Sequence, residues 1–398
     1  MDKLLNFGGV EELHMNLSLF FDPVPDHITQ AHYAHNSFFV HINYHGETFP
    51  DLTGIQLAIV GLPESTDEWD GENKPEDAAA VVRQKLYSLK KGQSHYRIAD
   101  IGNMRPGVDR QETCKRIQAV GEYLMKMQIL PIYIGGPHDL DFGQYLSYEG
   151  INKLVSMLTV DAKIDMDDEG HPHEVHSQDI ILHQPNFLFN YCHLAYQSFL
   201  ADQDLVNVME KLFFDHVRLG KIRGNFKEIE PLIRNADLLS FDICAIQSAD
   251  APGAFDAQPF GLTADEACQI CWFAGMNEKL SSIGIYGYAP YEDDRRYKTA
   301  AVIATMVWYF IEGFYHRKDS LSFSSSDYIK YTVSLDSNPS VLIFYKSKWS
   351  GKWWMEIPKS EQEKFERETI VPCSYQDYLT AQKGEIPERW INAQLKLY

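Results

Sequence analysis

The chain has 398 residues, 44% hydrophobic and 23% charged, an ordinary composition for a soluble globular protein with a large core. Its net charge of -20 disfavours nucleic acid and anionic membrane surfaces, because both select clustered basic residues. Met1 to Phe7 lacks the basic region and long apolar stretch of a signal peptide, and the six cysteines form no metal or disulfide framework, so a reducing cytoplasm is expected. Cys268 and Cys271 are spaced as C-x-x-C, but they lie inside a helical pattern with no second pair and read as buried thiols.

Residues 1–53 are rich in aromatics and histidine without a clear period, and read as an N-terminal extension. From Gly54 strand and helix signals alternate. Ile55 to Val60 is a strand candidate, Glu76 to Leu89 has helical spacing, and His95 to Ile101 is a second strand candidate. Gln111 to Met127 is an amphipathic helix with Ile117, Val120, Leu124 and Met127 on one face. Apolar runs at Ile129 to Ile134, Leu154 to Val160 and Ala236 to Leu239 read as buried strands. Helices are expected at Val206 to Leu219, Ala264 to Gly275 and from Thr299, with a strand at Ser282 to Tyr286. The apolar segment Ala300 to Phe314 is too short to span a bilayer and carries Glu312 near its end, so it reads as a buried helix. This alternation implies an α/β fold with a parallel sheet covered on both faces. Residues 316–398 change character, with strand-like Tyr328 to Val333 and Val341 to Tyr345. Trp349, Trp353 and Trp354 follow, a cluster that implies an appendage packed on the body.

Three motifs follow the central strands: Gly135-Gly136-Pro137-His138-Asp139, Asp161-Ala162-Lys163-Ile164-Asp165 and Ser240-Phe241-Asp242-Ile243-Cys244. An open α/β sheet places its ligands at the carboxyl ends of parallel strands. There His138, Asp161, Asp165 and Asp242 could converge on one divalent cation, since carboxylate suits Mn²⁺ and imidazole can join it.

The order and spacing of these motifs resemble the ureohydrolase family (arginase, agmatinase, formimidoylglutamase), whose motifs run GGDH, DAHxD and SxDxD, with a formimidoylglutamase-like subgroup nearest. The resemblance covers roughly residues 54–315. It implies a three-layer αβα sandwich around a mainly parallel eight-stranded sheet, and a homo-oligomer. It also implies two Mn²⁺ ions that together activate a water against a guanidinium or formimino carbon. By this resemblance His138, Asp161, Asp165 and Asp242 match the ligands of one ion. The second ion loses two of its four ligands, because the family's histidine is Lys163 and its second aspartate is Cys244.

The charges balance without that second ion. Its loss removes two positive charges, Lys163 restores one, and a neutral Cys244 removes one negative. The Lys163 ammonium is therefore expected within salt-bridge reach of Asp161 and Asp242, with one divalent metal bound (Mn²⁺ by the family's example) or none. Pro137 replaces the GGDH aspartate, and Gly287, in Tyr286-Gly287-Tyr288-Ala289-Pro290, aligns with a glutamate that helps hold the substrate's cationic group. His171, His173 and His176 read as a polar loop at the sheet's rim, and His183 as the counterpart of the family's catalytic proton-shuttling histidine. The leading expectation is a catalytically impaired member kept as a binding or assembly component, with a protein partner or a small guanidino or formimino ligand. A one-metal hydrolase of such C–N bonds and a small-molecule sensor are the alternatives.

Overall fold

The computed structural model of the chain describes residues 15–63, 77–151, 153–166, 172–336, 339–358 and 370–396. Glu76, His171 and the side chain of His173 lie outside the described residues.

Ten strands form the main sheet: β1 (Phe21–Asp22), β2 (Asn43–Tyr44), β3 (Leu57–Gly61), β4 (Ile98–Met104), β5 (Leu130–Ile134), β6 (Val155–Val160), β7 (Leu188–Leu194), β8 (Asp215–Val217), β9 (Leu238–Asp242) and β10 (Ser282–Tyr286). Eight of them run parallel in the order β4-β3-β5-β10-β9-β6-β7-β8, and the short β1 and β2 pair with β4 at one edge. Both faces are covered, as the near-continuous apolar strands require. Along β3, Leu57 and Ile59 enter one core while Ala58 and Val60 enter another. Helices Ala78–Ser88, Ala264–Gly275 and Lys298–Tyr315 contribute to the first core. Arg110–Lys126 contributes to the second, and Asp141–Gly150, Pro172–Leu182 and Gln203–Lys211 to a third. This is the three-layer α/β sandwich with a mainly parallel sheet.

The helix expected over Val206 to Leu219 is three elements. Gln203–Lys211 closes where Phe213 turns to φ 55, with Phe214 N–H bonded to the Met209 carbonyl and Phe213 N–H to that of Glu210. That is the Schellman pattern, which stops the helix. The chain then adds β8 to β7 before the helix Leu219–Gly224.

The C-terminal appendage is an antiparallel sheet of β11 (Tyr328–Ser334), β12 (Val341–Ser347), β13 (Trp353–Glu356) and β14 (Ile370–Cys373). Phe344, Trp353, Met355 and Trp390 share a core there, and Trp354 packs with Tyr328 and Tyr345. Trp349 instead stands 65% exposed. The appendage meets the body at Arg234, whose guanidinium donates to the carbonyls of Trp353 (3.0 Å) and Cys373 (3.2 Å) and lies 4.4 Å from the Trp354 ring centroid.

Candidate metal centre

Four adjacent strands, β5, β10, β9 and β6, bring the motifs together at their carboxyl ends. Gly135 and Gly136, at φ 87 and 75, turn the chain sharply out of β5, where residues with a Cβ are disfavoured. The turn delivers His138 from a short 3-10 segment that leads directly into the helix Asp141–Gly150. Asp161 follows β6, and Asp242 ends β9.

His138 Nδ1 lies 3.1 Å from Asp161 Oδ2, 3.2 Å from Asp242 Oδ2 and 3.6 Å from Asp165 Oδ2. All four side chains are buried or nearly so. Among the described residues His138 Nδ1 has no hydrogen-bond partner, although it sits among three carboxylates. A divalent ion with ligands at about 2.1 Å separates neighbouring donors by about 3 Å in octahedral geometry, so the donor set fits one such ion. When bound, the ion would act as a Lewis acid and lower the pKa of a coordinated water.

The buried carboxylates cost several kcal/mol each unless compensated. Burial, then the charges of Asp165 and Asp242, push the Asp161 carboxyl up. Burial also pushes Asp165 up, but the adjacent His138 and His176 imidazoles override it and hold this carboxyl well below the usual range. Burial lowers the His138 imidazole, and Asp242, Asp161 and Asp165 reverse that to hold it well above its ordinary value.

The compensating cation is therefore not Lys163, whose Nζ pairs with Asp256 Oδ2 at 2.6 Å and makes no ion pair with Asp161 or Asp242. The reason is placement: Asp256, on the loop after β9, meets the half-exposed ammonium at the rim, outside the buried cluster. Lys163 keeps only a backbone link, its N–H donating to Asp161 Oδ1 at 3.1 Å. Cys244 turns inward, and its thiol donates to Asp161 Oδ1 at 2.9 Å. Burial, then Asp161 and Asp242, push that thiol well above its ordinary range, so it stays protonated.

His176 overturns the expectation of a polar rim loop. It is fully buried on the helix Pro172–Leu182, where the helical period turns His176 and Ile180 inward. Its Nδ1 lies 2.8 Å from Asp141 Oδ1 and its Nε2 3.1 Å from Asp165 Oδ2. Asp141 and Ser240 complete the network and were equally missed. Ser240 Oγ donates to Asp141 Oδ2 at 2.9 Å and lies 2.9 Å from His138 Nε2. The sequence signal was modest: Asp141 stands three residues beyond His138, and Ser240 two before Asp242.

Pro137 begins the 3-10 segment at φ -68, a backbone that suits its ring. Gly287 sits at φ 75, with its N–H donating to the Gly136 carbonyl at 3.0 Å. His183 is not brought to the cluster. It lies 3.4 Å from Glu149 and packs edge-on to Phe142 and Tyr145, beside a 680 Å³ cavity that also meets Arg110 and Leu182.

The family model described as the arginase family matches residues 56–312. A formimidoylglutamase of Staphylococcus haemolyticus is 23% identical over 276 residues, covering 67% of this chain and 88% of that protein. One from Geobacillus thermodenitrificans is 26% identical over 274 residues, covering 64% and 83%. Among solved structures, Trypanosoma cruzi formiminoglutamase with Mn²⁺ superposes with a TM-score of 0.59 at 17% identity, covering 68% of this chain and all of that one. Bacillus subtilis formimidoylglutamase gives 0.58 at 18%, covering 66% and 88%.

Proposed function

The chain belongs to the arginase family, and from that premise we propose a member with one divalent-ion position and strongly impaired hydrolysis of guanidino or formimino C–N bonds. In this reading it is retained as a binding or assembly component, as a homo-oligomer, with Mn²⁺ the ion by likeness to the manganese-containing relative. The observation that carries it is the Cys244 thiol donating to Asp161 Oδ1, while Lys163 is turned to Asp256. Both replaced positions of the second ion are thereby committed to other partners. A protonated lysine has no lone pair to give, and a thiol that donates its proton is not a ligand.

The approach of Asp161, Asp165 and Asp242 to His138 favours a second reading, a hydrolase working on one ion. Elemental analysis after Mn²⁺ loading and gel filtration, combined with urea and formamide assays on arginine, agmatine and formiminoglutamate, separates the two. We expect no more than one equivalent and negligible turnover. Two tightly held equivalents overturn the one-ion proposal, and robust turnover at one equivalent favours the second reading. Lys163→His with Cys244→Asp is expected to raise metal uptake without restoring turnover, because ligands that act as a unit are not repaired piecemeal.

A further inference from the structure

We propose that His176 is a ligand of the ion, so that the centre is a two-histidine site oriented by the buried carboxylate of Asp141. This deepens the one-ion reading above and rests on it.

One carboxylate holds both rings. Asp141 Oδ1 accepts the Nδ1–H of His176 at 2.8 Å. Asp141 Oδ2 accepts the Ser240 hydroxyl at 2.9 Å, and Ser240 Oγ accepts the Nε2–H of His138 at 2.9 Å. These bonds assign the remaining nitrogens, His176 Nε2 and His138 Nδ1, the role of lone-pair donors. Both face the same oxygen, Asp165 Oδ2, at 3.1 and 3.6 Å. The ring centroids are 4.4 Å apart, and donors of His138, Asp165 and His176 lie within 4.8 Å of one another. A metal-bound histidine characteristically gives its other N–H to a carboxylate or comparable acceptor, which fixes the tautomer and raises basicity. Asp141 performs that task for His176 directly and for His138 through Ser240.

Two further features set this apart from an ordinary buried ion pair. His138 Nδ1 is buried, without a hydrogen-bond partner among the described residues, and aimed into the cluster. Asp141 and His176 are themselves fully buried, where ionisable side chains are rare unless paired or ligating. A second imidazole also shifts the donor set from one suited to Mn²⁺ toward one that favours Zn²⁺ more strongly.

The test uses the full chain loaded with Mn²⁺ alone, and separately with Zn²⁺ alone. Pulsed EPR of the Mn²⁺ form should count two coupled imidazoles in the parent protein and one in His176→Gln. Equilibrium dialysis should show His176→Gln losing at least about tenfold in Zn²⁺ affinity, with a smaller loss for Mn²⁺. One imidazole in the parent protein, or unchanged Zn²⁺ affinity in the variant, overturns the inference. Should His176→Gln fail to fold, Asp141→Asn keeps the volume and is expected to weaken Zn²⁺ about 10–100-fold. Unchanged affinity there overturns it equally. Two bound equivalents, or no uptake at all, would instead overturn the one-ion reading, whereas one equivalent with one imidazole removes only the second histidine.

Discussion

A Cβ on Gly287 would lie 2.6 Å from Asp242 Oδ1, on a backbone already at φ 75. A glutamate there would collide with Asp242, a residue of the candidate metal centre. Gly287→Glu and Gly287→Ala are both expected to lose at least about 1–2 kcal/mol from the left-handed backbone alone. Dialysis should show ion uptake falling with them, and an unperturbed Gly287→Ala would contradict the steric argument. His193 offers a pH test. It is fully buried on β7, its Nε2 has no hydrogen-bond partner among the described residues, and burial holds its imidazole down to about 4. An unfolded histidine titrates near 6.5, so the unfolded state takes up the proton first as pH falls. The stability this group contributes is complete above 6.5 and is lost as pH falls toward about 4. The loss between pH 7 and pH 5 is about 2 kcal/mol. Urea unfolding of the parent and His193→Gln at both pH values should show a flatter acid limb in the variant. Parallel limbs would exclude His193 as the source.

Element by element, legibility followed burial. β5, β6 and β10 are apolar runs buried on both faces, and the sequence marks them within a residue or so. β7 is interrupted by Asn190 and His193, which dilutes its apolar signal, and it escaped notice. The helix Pro172–Leu182 escaped for a related reason. Its inward residues include His176 and Ser177 beside Ile180, so no apolar stripe announces it. The hidden ligand candidate and the hidden helix were one omission. Lys163 was misread differently, since its partner Asp256 is 93 positions along the chain and only the folded loop brings them together. Arg234 is one of several docking contacts of the appendage, beside Lys352 with Glu278 and Lys396 with Asp215. Arg234→Ala removes two charge-assisted bonds to the Trp353 and Cys373 carbonyls, at an expected cost of about 3–5 kcal/mol. Limited proteolysis should then cut the segment before β11 faster while ion uptake by the body persists. Unchanged cutting would place the docking energy elsewhere.

Across the whole molecule, the parallel sheet and its two covers were readable because alternating strands and helices of this length allow few topologies. Its edge was not, because β1 and β2 are two residues each and carry no period. Among the described residues no helix is long and apolar enough to cross a membrane, which agrees with the short reach read for Ala300 to Phe314.

The strand order carries a kinetic consequence. β5 and β6 are neighbours in sequence, yet in the sheet β10 and β9 lie between them. His138 and Asp161 therefore approach each other only after two strands from more than seventy residues downstream have been inserted. Such long-range pairing is slow, and an ion bound at this cluster would have little to grip until it is done. Mn²⁺ should leave the refolding rate unchanged and act on unfolding alone. At a hundredfold excess over Kd it adds about 2.7 kcal/mol, which appears as roughly hundredfold slower unfolding. Stopped-flow traces with and without Mn²⁺ would show it in one limb of the denaturant plot, and faster refolding would mean that the cluster forms before the sheet closes.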